Sequence, residues 1–136
     1  MPNIRTRFVA EGEKEYRQAL KEINGGLSVL SAESKKLQEQ YKGNEKSLEA
    51  LTATNENLDQ VVLALSDKLD LQKKRLAELK QAYGESDDRT QRMAKSVTDT
   101  ETALIKQQRA LDENTRALEN FGEGEEDAAG QAKGLG

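Results

Sequence analysis

Residues able to do chemistry are few in this chain, and their spacing does not suit it. Two carboxylate clusters stand out, Asp87-Asp88 and Glu125-Glu126-Asp127. Adjacent acids can share a proton or a cation, but a calcium loop needs oxygen ligands at alternating positions around a glycine turn, and neither cluster has that arrangement. Ser86-Asp87-Asp88 instead suits the start of a helix, where acids favour the first turn. Gly122-Glu123-Gly124 lacks the preceding strand and following helix that make a glycine-rich loop a phosphate cradle. Histidine and cysteine are absent. That removes disulfides, thiolate nucleophiles, haem-type ligation, imidazole acid-base catalysis and ordinary zinc sites. No catalytic, cofactor-binding or metal-binding residue is assigned, and the chain reads as a non-enzyme that needs no cofactor.

The elements that would carry any function are helices. Over 136 residues, 35% are hydrophobic and 34% charged, and the mean hydropathy is -0.87. Tyr16, Tyr41, Tyr83, Phe8 and Phe121 are the five aromatics. So little bulky material fills a compact core poorly and suits an elongated helical shape. Residues 122–136 hold four acids against Lys133, which leaves residues 1–121 close to neutral. A neutral rod has no basic stripe for nucleic acid. The longest apolar run, Val61-Val62-Leu63-Ala64-Leu65, is far below the roughly 20 residues that cross a bilayer, and the N-terminus has no signal-peptide core. Both charge signs are mixed throughout, unlike a membrane-surface helix. A soluble chain made in the cytoplasm is expected.

Ile4, Thr6 and Phe8 alternate with Arg5, Arg7 and Val9, the period of a strand, so a short strand or extended arm is expected within residues 1–10. From Tyr16 the spacing changes to alternating fours and threes. Tyr16, Leu20, Ile23, Leu27, Leu30, Leu37 and Tyr41 form one seam. Leu48, Leu51, Asn55, Leu58, Val62, Leu65, Leu69, Leu76, Leu79 and Tyr83 form the next, and Met93, Val97, Leu104, Leu111, Leu118 and Phe121 a third. These are heptad seams, so residues 11–121 read as a coiled-coil region within an all-α fold.

All three seams share one register. With Leu20 as position a, steps of seven reach Leu48, Val62, Leu69, Leu76, Tyr83, Val97, Leu104, Leu111 and Leu118, and no residue is gained or lost at the candidate breaks, 42–44 and 84–87. The unbroken count favours one continuous rod over helices folded back at the glycines. Such a rod over 106 residues would extend roughly 160 Å. Polar residues interrupt the seam at Ser34, Asn44, Asn55, Gln72, Ser86, Thr90, Thr100, Gln107 and Asn114, trading stability for register. In a parallel dimer Lys68 would face Lys73 and Arg75 would face Lys80, which argues for a trimer, a staggered pairing or an acidic partner, unless these cations simply point into solvent. Self-association as a homo-oligomer is expected. Beyond Phe121 the glycine-rich, acidic residues 122–136 read as a flexible linker leading into a longer protein, or as a frayed tail.

Several words in the chain are familiar. Gly12-Glu13-Lys14-Glu15-Tyr16, Ala19-Leu20, Ile23-Asn24, then Leu27, Leu30 and Glu33, Ser47 to Leu51, Leu58 and Tyr83-Gly84-Glu85 resemble the N-terminal region of tail tape measure proteins from long-tailed phages and prophages of Gram-positive hosts. The likeness runs from Ile4 to the glycine-rich end. It implies a structural protein: an extended helical template in the tail tube lumen that sets tube length, present in a few copies. Tail tube protein and tail assembly chaperones are its implied partners. The implied location is the host cytoplasm during assembly and then the lumen of the virion tail. The competing reading is a cytoplasmic coiled-coil adaptor or scaffold that recruits a helical partner.

Overall fold

In a computed structural model, which describes the backbone from Ile4 to Leu135 and the side chains of Val9 and residues 12–121, the chain forms three helices. They are α1 (Ile4–Gln40), α2 (Leu48–Tyr83) and α3 (Asp88–Leu135). No strand occurs among the described residues.

Each reversal is built by a glycine and a cap. Gly43 has φ +88° and Gly84 φ +86°, backbone that L side chains rarely adopt. Gly84 N–H donates to Lys80 C=O at 2.9 Å, closing α2. Ser47, in extended conformation, opens α2 by accepting from Ala50 N–H at 3.2 Å, a side-chain cap. Asp87 does the same for α3: its Oδ1 accepts from Arg89 N–H at 2.9 Å. The acid pair at 87–88 thus opens α3.

The helices run up, down and up. Val9 near the start of α1 meets Arg75 near the end of α2, while Leu30 meets Asn57. Gln72 meets Thr100 and Asn55 meets Asn114, so α3 is antiparallel to α2. α1 and α3 each pack along α2, and Tyr16 of α1 also reaches Met93 of α3.

The structure corrects several of these expectations. The seven-residue count predicts one rod, yet the chain folds back at both glycines. The physical reason is that a lone helix cannot bury its own stripe, whereas hairpins lay one seam upon another. Ile4–Val9, expected as a strand, belongs to α1; a single strand leaves its backbone groups unpaired, and a helix satisfies them internally. Val9 and Tyr16, one heptad apart, are both buried, the spacing of one helix face. For Arg75 the like charges of a parallel dimer argue for a trimer, a staggered pairing or an acidic partner; it is buried against acids of its own chain, Glu13 on α1 and Glu78 on α2. Residues 122–135, expected as a linker, fall within the bounds of α3; Gly136 and the first three residues lie outside the described residues.

Among the seam residues, Tyr16, Leu51, Leu65, Leu69, Leu79 and Val97 are buried. Leu48, the first residue of α2, is 40% exposed. The others are half-buried. The central helix buries more than its seam: Ala50, Asn57 and Arg75 lie beside it. Asn57 and Arg75 both bond to α1, so α2 uses one face for each neighbour.

Candidate functional site: polar groups along the helical seam

Polar side chains, spaced along α2, tie the three helices together. At one end, Asn55 Oδ1 accepts from Asn114 Nδ2 and from Thr115 Oγ1, both at 3.1 Å, and Asn114 also donates to Leu51 C=O at 2.8 Å. Two residues along, Asn57 Nδ2 donates to Leu30 C=O at 2.9 Å. That bond crosses to α1. Farther on, Thr100 Oγ1 donates to buried Gln72 Oε1 at 2.5 Å. The Tyr16 hydroxyl donates to Met93 Sδ at 3.6 Å. Burial pushes the Tyr16 phenol above its ordinary pKa, so it stays protonated and able to donate.

Arg75 forms the largest of these groups. Its side chain is 3% exposed. Nη2 donates to Glu13 Oε2 at 2.7 Å and to Val9 C=O at 3.1 Å, and Nη1 donates to Glu78 Oε2 at 3.0 Å. Nε has no partner. Glu13 also accepts from Arg17 Nε at 2.7 Å. Burial raises the pKa of Glu13, but the hydrogen bonds and charges of Arg17 and Arg75 outweigh it and hold the carboxyl below its usual range. Gly12 lets this contact close, since a Cβ there would stand 2.9 Å from Arg75 Nη1.

At the α2–α3 reversal, the Arg89 guanidinium stacks over Tyr83, 3.5 Å from the ring centroid, and pairs with Asp87 at 2.9 Å. Hydrogen bonds from the Arg89 side chain and backbone lower the Asp87 pKa to about 2. At the other reversal, the Gly43 N–H holds the exposed Glu45 carboxyl low.

Chemically, these groups fix register. Each buried polar side chain matches one acceptor or donor on the neighbouring helix, and a slip by one turn would leave it unpaired. Thr90, whose Oγ1 is buried without a partner, is the exception. Among the described residues, no cluster of three potential ligands that could hold a metal occurs, and no helix is long and apolar enough to cross a membrane. The Glu125-Glu126-Asp127 and Gly122-Glu123-Gly124 side chains lie outside the described residues.

The seam expectation singles out Asn55, Gln72, Thr100 and Asn114, and the structure joins them in two cross-helix pairs. It misses Asn57 and the partner of Arg75. A signal for Asn57 was present: Ala50, Asn57, Ala64 and Leu71 repeat every seven residues beside the main seam, the mark of a helix contacted on two sides. For Arg75 the charge pattern points to an acidic partner among its alternatives but does not identify it, because Glu13 lies 62 residues away. Outside the seams, Leu63 and Ile105 are 60% and 59% exposed. An open groove of about 620 Å³ runs between α2 and α3, lined in part by Leu51, Leu58, Ala110, Ala117 and Phe121. Compared with protein-family models, with curated proteins and with solved structures, the chain matches none.

Proposed function

We propose that this chain is a structural segment of a phage tail tape measure protein, a non-enzymatic helical template that sets tail tube length, with tube protein and assembly chaperones as partners. The observation that carries the reading is the single heptad register from Tyr16 to Phe121. Antiparallel hairpins have no use for it. The connections 41–47 and 84–87 differ in length, and each helix would pack equally well on its neighbour if its count were offset. A common phase matters only when the three helices lie end to end, with one apolar stripe continuing from each into the next. On this reading the folded hairpins are the form held before assembly. Straightening at Gly43 and Gly84 then gives the extended template in the tube lumen.

The polar contacts of the core favour such a change. Asn55, Asn57, Gln72 and Thr100 join helices through neutral groups that water can also satisfy, so opening there costs less than opening an all-aliphatic seam. The test is a deletion of residues 48–68 in a phage carrying this gene. These are three whole heptads, and the later seam keeps its phase. Tails should shorten by about 30 Å at a rise of about 1.5 Å per residue. Unchanged tail length with infectious particles would remove this segment from the measuring part and make it an attachment or chaperone-binding end. The exposure of Leu63 and Ile105 favours the second reading, an adaptor that recruits a helical partner, and a natural role outside any virion would establish it.

A further inference from the structure

Four of the chain's eight arginines converge on one cavity. It lies where the start of α1, the end of α2 and the start of α3 meet, has a volume of about 490 Å³, and takes Arg17, Arg75, Arg89 and Arg92 into its wall. Lysine outnumbers arginine thirteen to eight in the chain, yet no lysine is among the described residues lining the cavity. That choice has a chemical meaning. A guanidinium offers a planar fork that matches two oxygens of a carboxylate or phosphate, whereas an ammonium is a hydrated point charge.

The hydrogen bonds leave donors over. Glu13, the one acid among the described lining residues, is already held by Arg17 Nε and Arg75 Nη2. The terminal nitrogens of Arg17 make no hydrogen bond among the described residues. Arg89 gives Nε and Nη2 to Asp87 and keeps Nη1. Arg92 has no carboxylate partner among the described residues; its one bond is a long contact of 3.4 Å from Nε to Asp88 C=O. Arg75 is buried at 3% with an unpartnered Nε. Counting Glu13, Glu78 and Asp87 against the four guanidiniums leaves one positive charge. Leu79, Tyr83 and Met93 add an apolar and aromatic part to the wall.

We infer that this cavity is an oxyanion-binding site, taking a phosphate or carboxylate through Arg92, which has no carboxylate partner among the described residues, and the free donors of Arg17 and Arg89, with Arg75, paired with Glu13 and Glu78, forming its buried back wall. The inference does not depend on the tail reading. Two sources carry the chemistry: a free phosphate, or the acidic side chains of a polypeptide. The chain's own Glu123, Glu125, Glu126 and Asp127 are an example of the second. They lie about 31 residues beyond Arg92, roughly 45 Å along a helix, so a second copy would have to present them.

The experiment follows the Arg Nε–Hε resonances of the full chain by NMR at constant ionic strength, titrating inorganic phosphate in one arm and a peptide of residues 122–131 in the other. Saturable shifts of Arg17, Arg89 and Arg92 are expected in at least one arm, and the responding arm identifies the source. Arg109 and Arg116, outside the cavity, report nonspecific ion pairing and should stay unmoved. Arg92→Gln, at an exposed position with no ion pair to lose, should keep the helical circular dichroism and weaken binding about tenfold, the loss of one charge-assisted hydrogen bond. Equal shifts at Arg109 and Arg116, silence in both arms, or unchanged affinity in Arg92→Gln would each overturn the assignment.

Discussion

Replacing Glu13 with Gln tests whether a buried arginine holds α1 against α2. Arg75 is 3% exposed, while Glu13 and Glu78 are 39% and 24% exposed. An exposed ion pair contributes at most about 1 kcal/mol, and removing one partner of a fully buried pair costs about 3–5 kcal/mol. Glu13 stands between these limits. It is more than a third exposed, so solvent screens it, and Arg75 retains Glu78 and the Val9 carbonyl after its loss. We expect Glu13→Gln to lower the unfolding free energy by about 1.5 kcal/mol near pH 7. The pH dependence has a definite sign. Because the Glu13 carboxyl is held below its ordinary value of 4.5, its stabilisation is fully present above that pH and is lost as pH falls through the folded value. The gap between wild type and variant should therefore narrow as pH falls below 4.5 and close as it passes the folded value. Arg17→Gln, which removes only the exposed pair one turn away, should stay within about 0.5 kcal/mol of wild type. Urea denaturation followed by circular dichroism at pH 7 and pH 3 reads all three. Equal stability of Glu13→Gln and wild type at pH 7, or a gap that persists unchanged at pH 3, would refute the reasoning.

Spin labels at exposed Lys21 and Glu119 should lie within about 50 Å of each other in the folded bundle, against roughly 150 Å along a single rod; a long distance in the isolated protein would dismantle the hairpins. Gly84→Ala should cost about 1–3 kcal/mol, because φ +86° and ψ 165° are backbone angles reserved for glycine. Gly25→Ala, in mid-helix with open space around its Cβ position, should instead stabilise by about 1 kcal/mol, and thermal melts showing the two variants alike would contradict both backbone assignments. Asn55→Leu should change stability by less than about 1 kcal/mol, since Asn114 keeps Leu51 C=O and Thr115 can turn to water; a loss above about 2 kcal/mol would mean that Asn55 is the register-setting contact.

Helical content and the face each helix buries were legible because they are local. The spacing of Leu51, Leu65, Leu69 and Leu79 places them on one face of α2 whatever that face meets. Ser86-Asp87-Asp88 was legible for the same reason, since a cap acts within one turn. What the face meets was not. A heptad stripe looks the same whether its partner is a second chain, another helix of the same chain or nothing, and the choice rests on Gly43 and Gly84. Glycine permits φ near +87° without requiring it. The strand expected at Ile4–Val9 failed through a related ambiguity: six residues that alternate also fit the first turns of a helix, and only the continuing contacts of Val9 and Tyr16 decide.

Shared register and glycine reversals together make the hairpin and the rod nearly interchangeable in local terms. Each state keeps the same helical hydrogen bonds over most of its length and differs in seven residues at one turn and four at the other. Their balance rests on what covers the seam. In the folded chain α1 and α3 cover α2, yet most seam residues remain half-buried, so the hairpins use only part of the available apolar surface. A partner that covers the seam more fully, in several copies or as a surrounding tube, would favour the straight form by the difference in apolar area buried. The polar bonds set the opposing term. Gln72 with Thr100, Asn55 with Asn114, and Arg75 with Glu13 must all be exchanged for water or new partners before the helices part. Arg75 is the heaviest of these because its charge is buried on both sides of the exchange only if the rod supplies another acid. A parallel rod keeps only Glu78 of the same helix beside Arg75 and brings Lys80 against it, so opening should begin at the Gly43 reversal, where the contacts are neutral amides, and reach the Arg75 end last.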